Sequence, residues 1–453
     1  MKFSNLPLTK EMLHNLNEIG YKEMTAIQAQ TLPYILDGKD VIAQAKTGSG
    51  KTAAFGIGIL TALYVKKFRV QSLILCPTRE LADQVAKELR TLARATHNVK
   101  ILTLCGGSAF GPQLGSLRHG AHIVVGTPGR ILKHLKKETL SLENLEMLVL
   151  DEADRMLDMG FSEEINEVLS FAPTKRQTLL FSATYTDDIL DVSKKIQHDA
   201  ISVKTTSVES ANKITEYFYE VGYGKKIDTL INIFSNFKPE NVIVFCNTKL
   251  EADEIANKLQ EKKIDALAIH GDLEQYERND VLVQFANKSS RVLVATDVAA
   301  RGLDIKELSM VVNYDIPHGE ETYTHRIGRT GRAGAEGLAF TLYEESEIRN
   351  AEEYQNETRI FKEGSELKTL NSFTMLPEFV TLVIEGGKKD KVRAGDLLGA
   401  LTGDAGLNGS SIGKIDIYDR QAYVAIESKF IDDAHKKLST GKIKGKRFSV
   451  WIL

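Results

Sequence analysis

Cysteine is scarce in this chain: Cys76, Cys105 and Cys246 are the only three in 453 residues. None stands in a C-x-x-C pair, and each lies at or beside the end of an apolar run. That excludes a disulfide framework and a zinc site, and leaves small core residues. Long hydrophobic runs are missing too. The longest, Phe55–Val65, covers 11 residues, whereas a membrane-spanning helix needs roughly 18. Behind Met1-Lys2 there is no apolar stretch of signal-peptide type. The expectation is a soluble, cytoplasmic protein with no membrane partner. Nor does either charge sign dominate, with 58 Lys/Arg against 61 Asp/Glu. A hydrophobic content of 42% excludes a disordered or collagen-like chain. At roughly 100–200 residues per domain, the length allows two to four domains.

The even balance hides a local one. Residues 371–453 carry 13 Lys/Arg against 10 Asp/Glu, so a basic end follows an acidic body. Such an end suits a polyanionic partner.

Up to about residue 345, short apolar runs alternate with amphipathic stretches. Strands are predicted at Ser72–Cys76, Lys100–Leu104, His122–Val125, Glu146–Leu150 and Thr178–Phe181, then at Val242–Cys246, Ala266–Ile269, Val292–Ala295, Met310–Asn313 and Leu338–Leu342. Runs of this kind suit parallel strands covered on both faces. Between them lie helical stripes, such as Leu81, Val85, Leu89 and Leu92 within Thr78–Arg94. The pattern predicts open α/β sheets with right-handed crossovers. It also repeats. LILCPTRELAD ending at Asp83 resembles IVFCNTKLEAD ending at Asp253, TLCGG near Gly106 resembles AIHGD near Gly271, and VVGT at Thr127 resembles LVAT at Thr296. Three matches in one order predict two copies of one unit, each binding ligands at the carboxyl ends of its strands.

After about residue 370 the grammar changes. Thr381–Glu385, Lys414–Tyr418, Ala422–Glu427 and Phe448–Ile452 read as strands, with helices at Arg393–Leu401 and Ile431–Leu438. The order βαββαβ is that of a small ferredoxin-like or RNA-recognition domain. The predicted layout is a first lobe at 1–205, a second at 206–365, a linker at 366–376 and the small domain at 377–453. Glu344–Leu376 is expected to hold a closing helix followed by that linker.

A phosphate loop is the clearest local signal. Val41-Ile42-Ala43 leads into Ala45-Lys46-Thr47-Gly48-Ser49-Gly50-Lys51-Thr52 and then a helical stretch. Ala45 stands where the strict pattern has glycine. Gly48 and Gly50 would let backbone N–H groups close on phosphate oxygens at a helix N-terminus. Lys51 would supply charge to the β- and γ-phosphates, and Thr52 a hydroxyl for Mg²⁺. The run Leu145–Leu150 ends in Asp151-Glu152-Ala153-Asp154. Asp151 is the candidate Mg²⁺-side carboxylate and Glu152 the candidate base for the attacking water. Asp154 reads equally well as an acidic turn capping the next helix. Arg326, Arg329 and Arg332, spaced by three within His325–Arg332, would put guanidinium groups along one edge as arginine fingers.

Together these elements resemble the DEAD-box family of ATP-dependent RNA helicases, nearly collinearly over residues 3–342. The resemblance implies two tandem RecA-like lobes, with ATP and Mg²⁺ as ligands. Phe3, Gly20, Tyr21, Thr25 and Gln28 look like the family's adenine-reading motif, in which Gln28 would bond the adenine edge and Tyr21 stack on it. Ala26 stands where proline is common. Pro77, Thr78, Arg79, Gly106, Gly107, Thr127, Pro128, Gly129 and Arg130 look like the first lobe's RNA-backbone contacts. Ser182-Ala183-Thr184 resembles the motif coupling hydrolysis to strand separation. In the second lobe, Phe245 to Thr248, Gln275 with Arg278, and Ala295 to Ile305 match later motifs. There the resemblance assigns Thr248, Arg278, Thr296 and Gly302 to RNA and Arg301 with Asp304 to the nucleotide. Contacts of this kind do not read base sequence.

The stretches Gly386–Arg393, Gly395–Gly403, Ile412–Ile415 and Gly441–Lys446 resemble the bacterial DbpA type of the family, which implies tethering to a hairpin of large-subunit (23S) ribosomal RNA during ribosome assembly. The usual strand signature K/R-G-F/Y-G/A-F/Y-V is replaced by Asp-Arg-Gln-Ala-Tyr-Val at 419–424. Only Tyr423 remains as a stacking aromatic, and Trp451 reads as core or base platform. Lys388, Lys389, Lys391, Arg393, Lys442, Lys444, Lys446 and Arg447 are therefore the candidates to grip phosphates. The function expected is an RNA-stimulated ATPase and helicase, monomeric, acting on ribosomal RNA in a pre-large-subunit particle. The alternative is an ATP-gated RNA clamp whose hydrolysis is incidental.

Overall fold

A computed structural model describes residues 1–45, 48–204, 214–300, 308–331, 336–369, 373–404 and 406–453. Its contacts divide the chain into two compact units, one N-terminal and one formed by the rest. No helix among the described residues is long and apolar enough to cross a membrane.

In the first unit, strands β1 (Val41–Gln44), β2 (Ser72–Leu75), β3 (Ile101–Leu104), β4 (Ile123–Gly126), β5 (Met147–Asp151), β6 (Gln177–Ser182) and β7 (Ile201–Lys204) form one sheet in the order β3-β4-β2-β5-β6-β1-β7. In the second, β8 (Ile214–Val221), β9 (Val242–Cys246), β10 (Ala266–Ile269), β11 (Val292–Thr296), β12 (Met310–Asn313), β13 (Gly337–Glu344) and β14 (Ile360–Glu363) take the order β10-β11-β9-β12-β13-β8-β14. Every pairing in both sheets is parallel. The two orders are identical strand for strand, so the repeat seen in the sequence is a repeat of topology.

The first sheet is covered on both faces by apolar clusters. The apolar run from Phe55 falls in the helix Lys51–Ala62, whose residues from Ala53 to Leu60 are buried. Gly56 and Gly58 allow this crowding. A Cβ on Gly56 would meet Leu92 Cδ1 at 2.9 Å, and one on Gly58 would collide with Ile35 Cγ2. The run is a helix buried in a protein core.

Three strands escaped the sequence pattern. β7 and β14 are four-residue edge strands carrying lysine or glutamate, as edges usually do. β8 reads ITEYFYEV, and its acids break the apolar run. Glu216 is nevertheless used inside: it accepts from Tyr323 Oη at 2.7 Å and Arg359 Nε at 2.8 Å. The closing helix expected after Glu344 is only Ile348–Glu352, and β14 follows it. Met375, within the segment expected as linker, is buried in the second lobe's core and bridges Ile264.

The small domain has β15 (Phe379–Ile384), β16 (Ile412–Ile417), β17 (Ala422–Glu427) and β18 (Val450–Ile452) in the antiparallel order β16-β17-β15-β18. Helices Ala394–Gly399 and Ile431–Thr440 lie between strands. This is the βαββαβ arrangement the sequence predicted. The first helix is shorter than expected, because the chain widens into a π turn from Ala400.

In the first sheet, Asp40 pins three segments. Its carboxylate accepts from Thr178 N and His198 N, both at 2.7 Å, and is nearly buried. Asp40→Ala would strand two backbone donors, so we expect a loss of about 3 kcal/mol, read as a lower urea midpoint with an unchanged slope.

Candidate active site

The strand order puts β5, β6 and β1 side by side, so the loops leaving their carboxyl ends meet. The phosphate loop follows β1. Gly48 and Gly50 take φ of 82° and 92°, where an L side chain is strained. Gly50 has a second reason to be glycine: a Cβ there would lie 2.5 Å from Gln28 Nε2. Lys51 opens the next helix, and its Nζ is buried without a hydrogen-bond partner, as are Ser49 Oγ and Asp151 Oδ1. Buried, unmatched polar atoms around an amide-lined loop at a helix N-terminus fit a phosphate with a cation. Thr47 lies outside the described residues; Thr52, beside Lys51, is half-buried.

Gln28 is committed from both ends. Its Oε1 accepts from Thr25 N at 3.0 Å, and its Nε2 donates to Gly50 O at 3.1 Å. The adenine-motif glutamine is thus wired to the phosphate loop. Tyr21 donates its hydroxyl to Glu88 Oε1 at 3.1 Å and meets Phe3 edge-on at 6.2 Å.

At the tip of β5, Asp151 is fully buried. Burial pushes its carboxyl up to about 6; Lys51 pulls it down, and the Glu152 charge adds to the rise. Glu152 adopts left-handed backbone (φ 53°), uncommon for a side-chain-bearing residue and typical of functional turns. Its carboxylate stands 3.2 Å from Arg155 Nη1 in a buried ion pair. Asp154 does more than cap a helix. Its Oδ2 accepts from Ala183 N at 3.0 Å, Thr184 N at 3.2 Å and Thr184 Oγ1 at 3.3 Å. Across the same segment, Ala45 N donates to Ser182 O at 2.9 Å and Gln44 Nε2 to Ala183 O at 3.1 Å. Phosphate loop, acidic turn and Ser182–Thr184 therefore form one hydrogen-bonded unit. Sequence reading assigned Asp154 no such role, since nothing local reveals a partner 29 residues away.

The other half of each sheet, β3-β4-β2 and β10-β11-β9, carries the residues expected to touch RNA. In the first lobe, Pro77, Thr78 and Arg79 follow β2, Gly106 and Gly107 follow β3, and Thr127, Pro128, Gly129 and Arg130 follow β4. Gly106, Gly107 and Gly129 are exposed. Arg130 is occupied, however: it donates to Ser108 O and Gln113 Oε1, each at 2.9 Å, and so braces the glycine loop. In the second lobe, Thr248 follows β9 and Thr296 ends β11. Gln275 and Arg278 lie on the helix Gln275–Ala286, where Arg278 donates to His270 O and Ala299 O at 3.4 Å. Arg301, Gly302, Asp304 and Arg332 lie outside the described residues.

Residues 25–192 match the DEAD/DEAH box helicase family, 225–334 the helicase conserved C-terminal domain, and 381–452 the DbpA RNA binding domain. The ATP-dependent RNA helicase DbpA of Escherichia coli is 52% identical over 448 residues, spanning 98% of each chain. This chain belongs to the DEAD-box RNA helicases. The CshA helicase of Geobacillus kaustophilus is 44% identical over 370 residues, covering 82% of this chain and 79% of its own. Among solved structures, Saccharomyces cerevisiae Dbp5 bound to RNA and ADP BeF3 superposes with a TM-score of 0.72 at 30% identity, over 81% of this chain and 96% of that one. Like the rest of its family, the chain is an ATP-hydrolysing RNA helicase.

In a DEAD-box helicase built from twin sheets, only one copy keeps a phosphate loop, and the second lobe shows why. The loop after β8, Gly222–Lys225, occupies the matching position. There Gly224 N donates to Glu344 Oε1 at 3.0 Å, and Lys226 pairs with Asp315 at 3.3 Å and Glu347 at 3.0 Å. The protein's own carboxylates take the place an anion would need. Arg326 corrects the expectation of three fingers on one edge. It is fully buried, donating to both oxygens of Asp297 at 2.8 and 2.7 Å and to Asp315 O at 2.9 Å. The helix ends at Ile327, so a spacing of three does not align Arg329 with it; Arg329 is itself buried.

In the small domain, all eight basic candidates are exposed. The two runs adjoin: Lys444 Nζ donates to Lys391 O at 3.0 Å, while Val392 and Ile443 anchor them in the core.

Gly50→Ala should weaken ATP binding at least as seen by fluorescent-nucleotide titration, because the new Cβ displaces Gln28, and Lys51→Ala should abolish ATP turnover by removing the buried cation. A pH effect follows from Glu251, which burial and the neighbouring Asp315 push up to about 8. Its folded form holds a proton that the unfolded chain releases near the usual carboxylate range, so stability falls as pH rises from there through about 8. Thermal unfolding should therefore come earlier at alkaline pH than at neutral pH, and Glu251→Gln should remove much of that difference.

Proposed function

We propose that this helicase acts on large-subunit ribosomal RNA during ribosome assembly, with the small domain holding a hairpin and the two lobes remodelling the RNA beside it. What carries this reading is a C-terminal segment that matches a DbpA RNA binding domain and sets its two basic runs side by side on one edge. Eight exposed cations there suit a folded RNA's phosphates. In the chemistry proposed, Thr47, Gly48, Ser49, Gly50, Lys51 and Thr52 hold the phosphates, Gln28 and Tyr21 the adenine, and Arg301 with Asp304 the nucleotide from the second lobe. Thr52 and Asp151 are the residues to hold Mg²⁺, a cation that keeps few protein ligands and shares substrate phosphates. It would supply charge neutralisation at the phosphates. Glu152 orients and deprotonates the attacking water, a base role suited to a carboxylate held by a strained turn and an arginine. Arg329 and Arg332 stabilise charge on the γ-phosphate. Ser182, bonded to Ala45, and Thr184, tied to Asp154, relay the state of that site to the RNA half of the sheet. The first-lobe residues Pro77 to Arg79, Gly106, Gly107 and Thr127 to Arg130, with Thr248, Arg278, Thr296 and Gly302, grip backbone and leave base sequence unread. The protein acts as a cytoplasmic monomer.

The test is ATPase stimulation of the full-length chain by 23S ribosomal RNA against an unrelated RNA of equal length. The parent should respond more strongly to the ribosomal RNA. Lys442→Glu with Lys444→Glu and Lys446→Glu should erase that preference while leaving the unrelated RNA's effect in place. Equal stimulation of the parent by both RNAs would sink the reading.

A further inference from the structure

Tyr423 is not open to bases: it is buried in a cluster with Val283 and Val383, and its hydroxyl donates to Asp280 Oδ1 at 2.9 Å. An aromatic ring among exposed cations occurs elsewhere, in the first lobe. From Leu89 to Lys137 the chain contains no aspartate or glutamate, yet that stretch holds eight lysines and arginines. In a chain of net charge −3 this is a strong local excess of positive charge. Part of it is drawn into a line. On the helix Pro128–Lys136, which follows β4, Arg130, Lys133 and the capping Lys137 stand at i, i+3 and i+7, a single stripe. All three come to one ring: Lys137 Nζ lies 5.2 Å, Lys133 Nζ 5.8 Å and Arg130 Cζ 5.9 Å from the centroid of Phe110. Phe110 is half-buried and stacks on His134 at 4.2 Å, with 14° between the planes. Burial, then the charges of Arg130 and Lys133, push that imidazole down to about 4.

Like charges at i, i+4 oppose helix formation. The ring's quadrupole offsets part of that repulsion, and the end of the helix dipole favours cations. Neither supplies a counter-ion. Lys136, on the adjoining face, has one in Glu167 at 2.8 Å. Lys133 and Lys137 are exposed and form no ion pair among the described residues. Arg130 is engaged with Ser108 O and Gln113 Oε1. Gln113 completes this brace: its Nε2 donates to Cys105 O at 3.0 Å and to Ser108 Oγ at 2.8 Å, and His134 Nε2 stands 3.0 Å from its Oε1. The stripe is therefore held in register with Gly106 and Gly107, and it carries positive charge roughly 10 Å along the helix beyond Arg130.

We propose that Lys133 and Lys137 are further RNA ligands of the first lobe, holding phosphates next to those at Gly106–Gly107 and Thr127–Arg130, with Phe110 as the floor that keeps both ammonium groups together. The inference rests on the reading of those two segments as RNA contacts. An RNA strand brings the counter-charge that the fold withholds, so the repulsion along the stripe is relieved on binding. A lysine is a point charge on a flexible stem, so these contacts follow the backbone and read no base. The strand gripped by the first lobe is then longer than its loops alone would hold.

Lys133→Gln with Lys137→Gln, in the full-length chain, tests the ligands, and Lys136→Gln is the control on the same helix. Fluorescent oligouridylate is titrated across a salt series in the presence of ADP and beryllium fluoride. Each phosphate contact with a single strand adds about 0.7 to the logarithmic salt slope. The double variant should therefore lose about 1.4 of slope and bind about tenfold more weakly at low salt, with Lys136→Gln at the parental slope. An unchanged slope in the double variant, or an equal loss in Lys136→Gln, would overturn the proposal. Oligoadenylate should show the same loss, and a loss confined to one base would overturn the backbone contact. At saturating RNA the double variant should turn over ATP at the parental rate, while the RNA needed for half-stimulation rises about tenfold. Its thermal unfolding should come no earlier than the parent's, since like charges are removed; an earlier transition would make the lysines structural and sink the idea. Arg79→Gln separates this inference from the reading beneath it. If Arg79→Gln weakens RNA binding and the double variant does not, only the stripe falls; if Arg79→Gln binds as the parent does, the loop contacts fall.

Discussion

The carboxylate of Asp154 accepts three hydrogen bonds from Ala183 and Thr184, while Ala45 N and Gln44 Nε2 reach the same segment from the phosphate loop. A nucleotide-dependent change at β1 or β5 must therefore be felt at the end of β6. These bonds are part-buried around the buried Asp154 carboxylate, where breaking one leaves an unmatched polar group. Such a cluster favours discrete arrangements over gradual deformation, which is what a machine with two states requires. Gln28 extends it by bonding Gly50 O, so the segment proposed to read the base and the loop proposed to hold phosphate are not independent.

Each sheet divides its labour by strand order. The ends of β5, β6 and β1 gather the residues proposed for the nucleotide, and the ends of β3, β4 and β2 those proposed for RNA. The second lobe has the same order, and at the position matching the phosphate loop carboxylates are already engaged: Glu344 on Gly224 N, Asp315 and Glu347 on Lys226. The first lobe carries the loop proposed for phosphate, and the matching loop of the second is bonded to the protein's own carboxylates. The asymmetry is electrostatic and sits on an unchanged backbone plan.

Much of this was legible from residues in order. The repeated stretches ending at Asp83 and Asp253 did mark equivalent strands, β2 and β9, and the glycines before Lys51 did mark a positive-φ loop. β8 was hidden because Glu216 and Glu220 interrupt its apolar pattern, although Glu216 is satisfied by Tyr323 and Arg359 from distant segments. Arg326 looked like its neighbours Arg329 and Arg332 in the sequence, yet Asp297 and Asp315 draw it inside. Arg130 was readable as a motif member but not as the brace of the loop at Ser108. In each case the deciding partner is far away in sequence.

The amino-acid sequence alone determined what local chemistry can determine: alternating α/β units, a phosphate-binding turn, an acidic strand end, a βαββαβ tail rich in lysine. Backbone conformation and apolar periodicity depend on near neighbours, so they are written in near neighbours. Tertiary structure decided which polar side chains are spent internally and which face outward. It made Asp154 a junction, Arg326 a buried anchor and Tyr423 part of a docked face instead of a base platform. The reason is that a buried polar group is defined by its partner, and partners are chosen by packing across the fold.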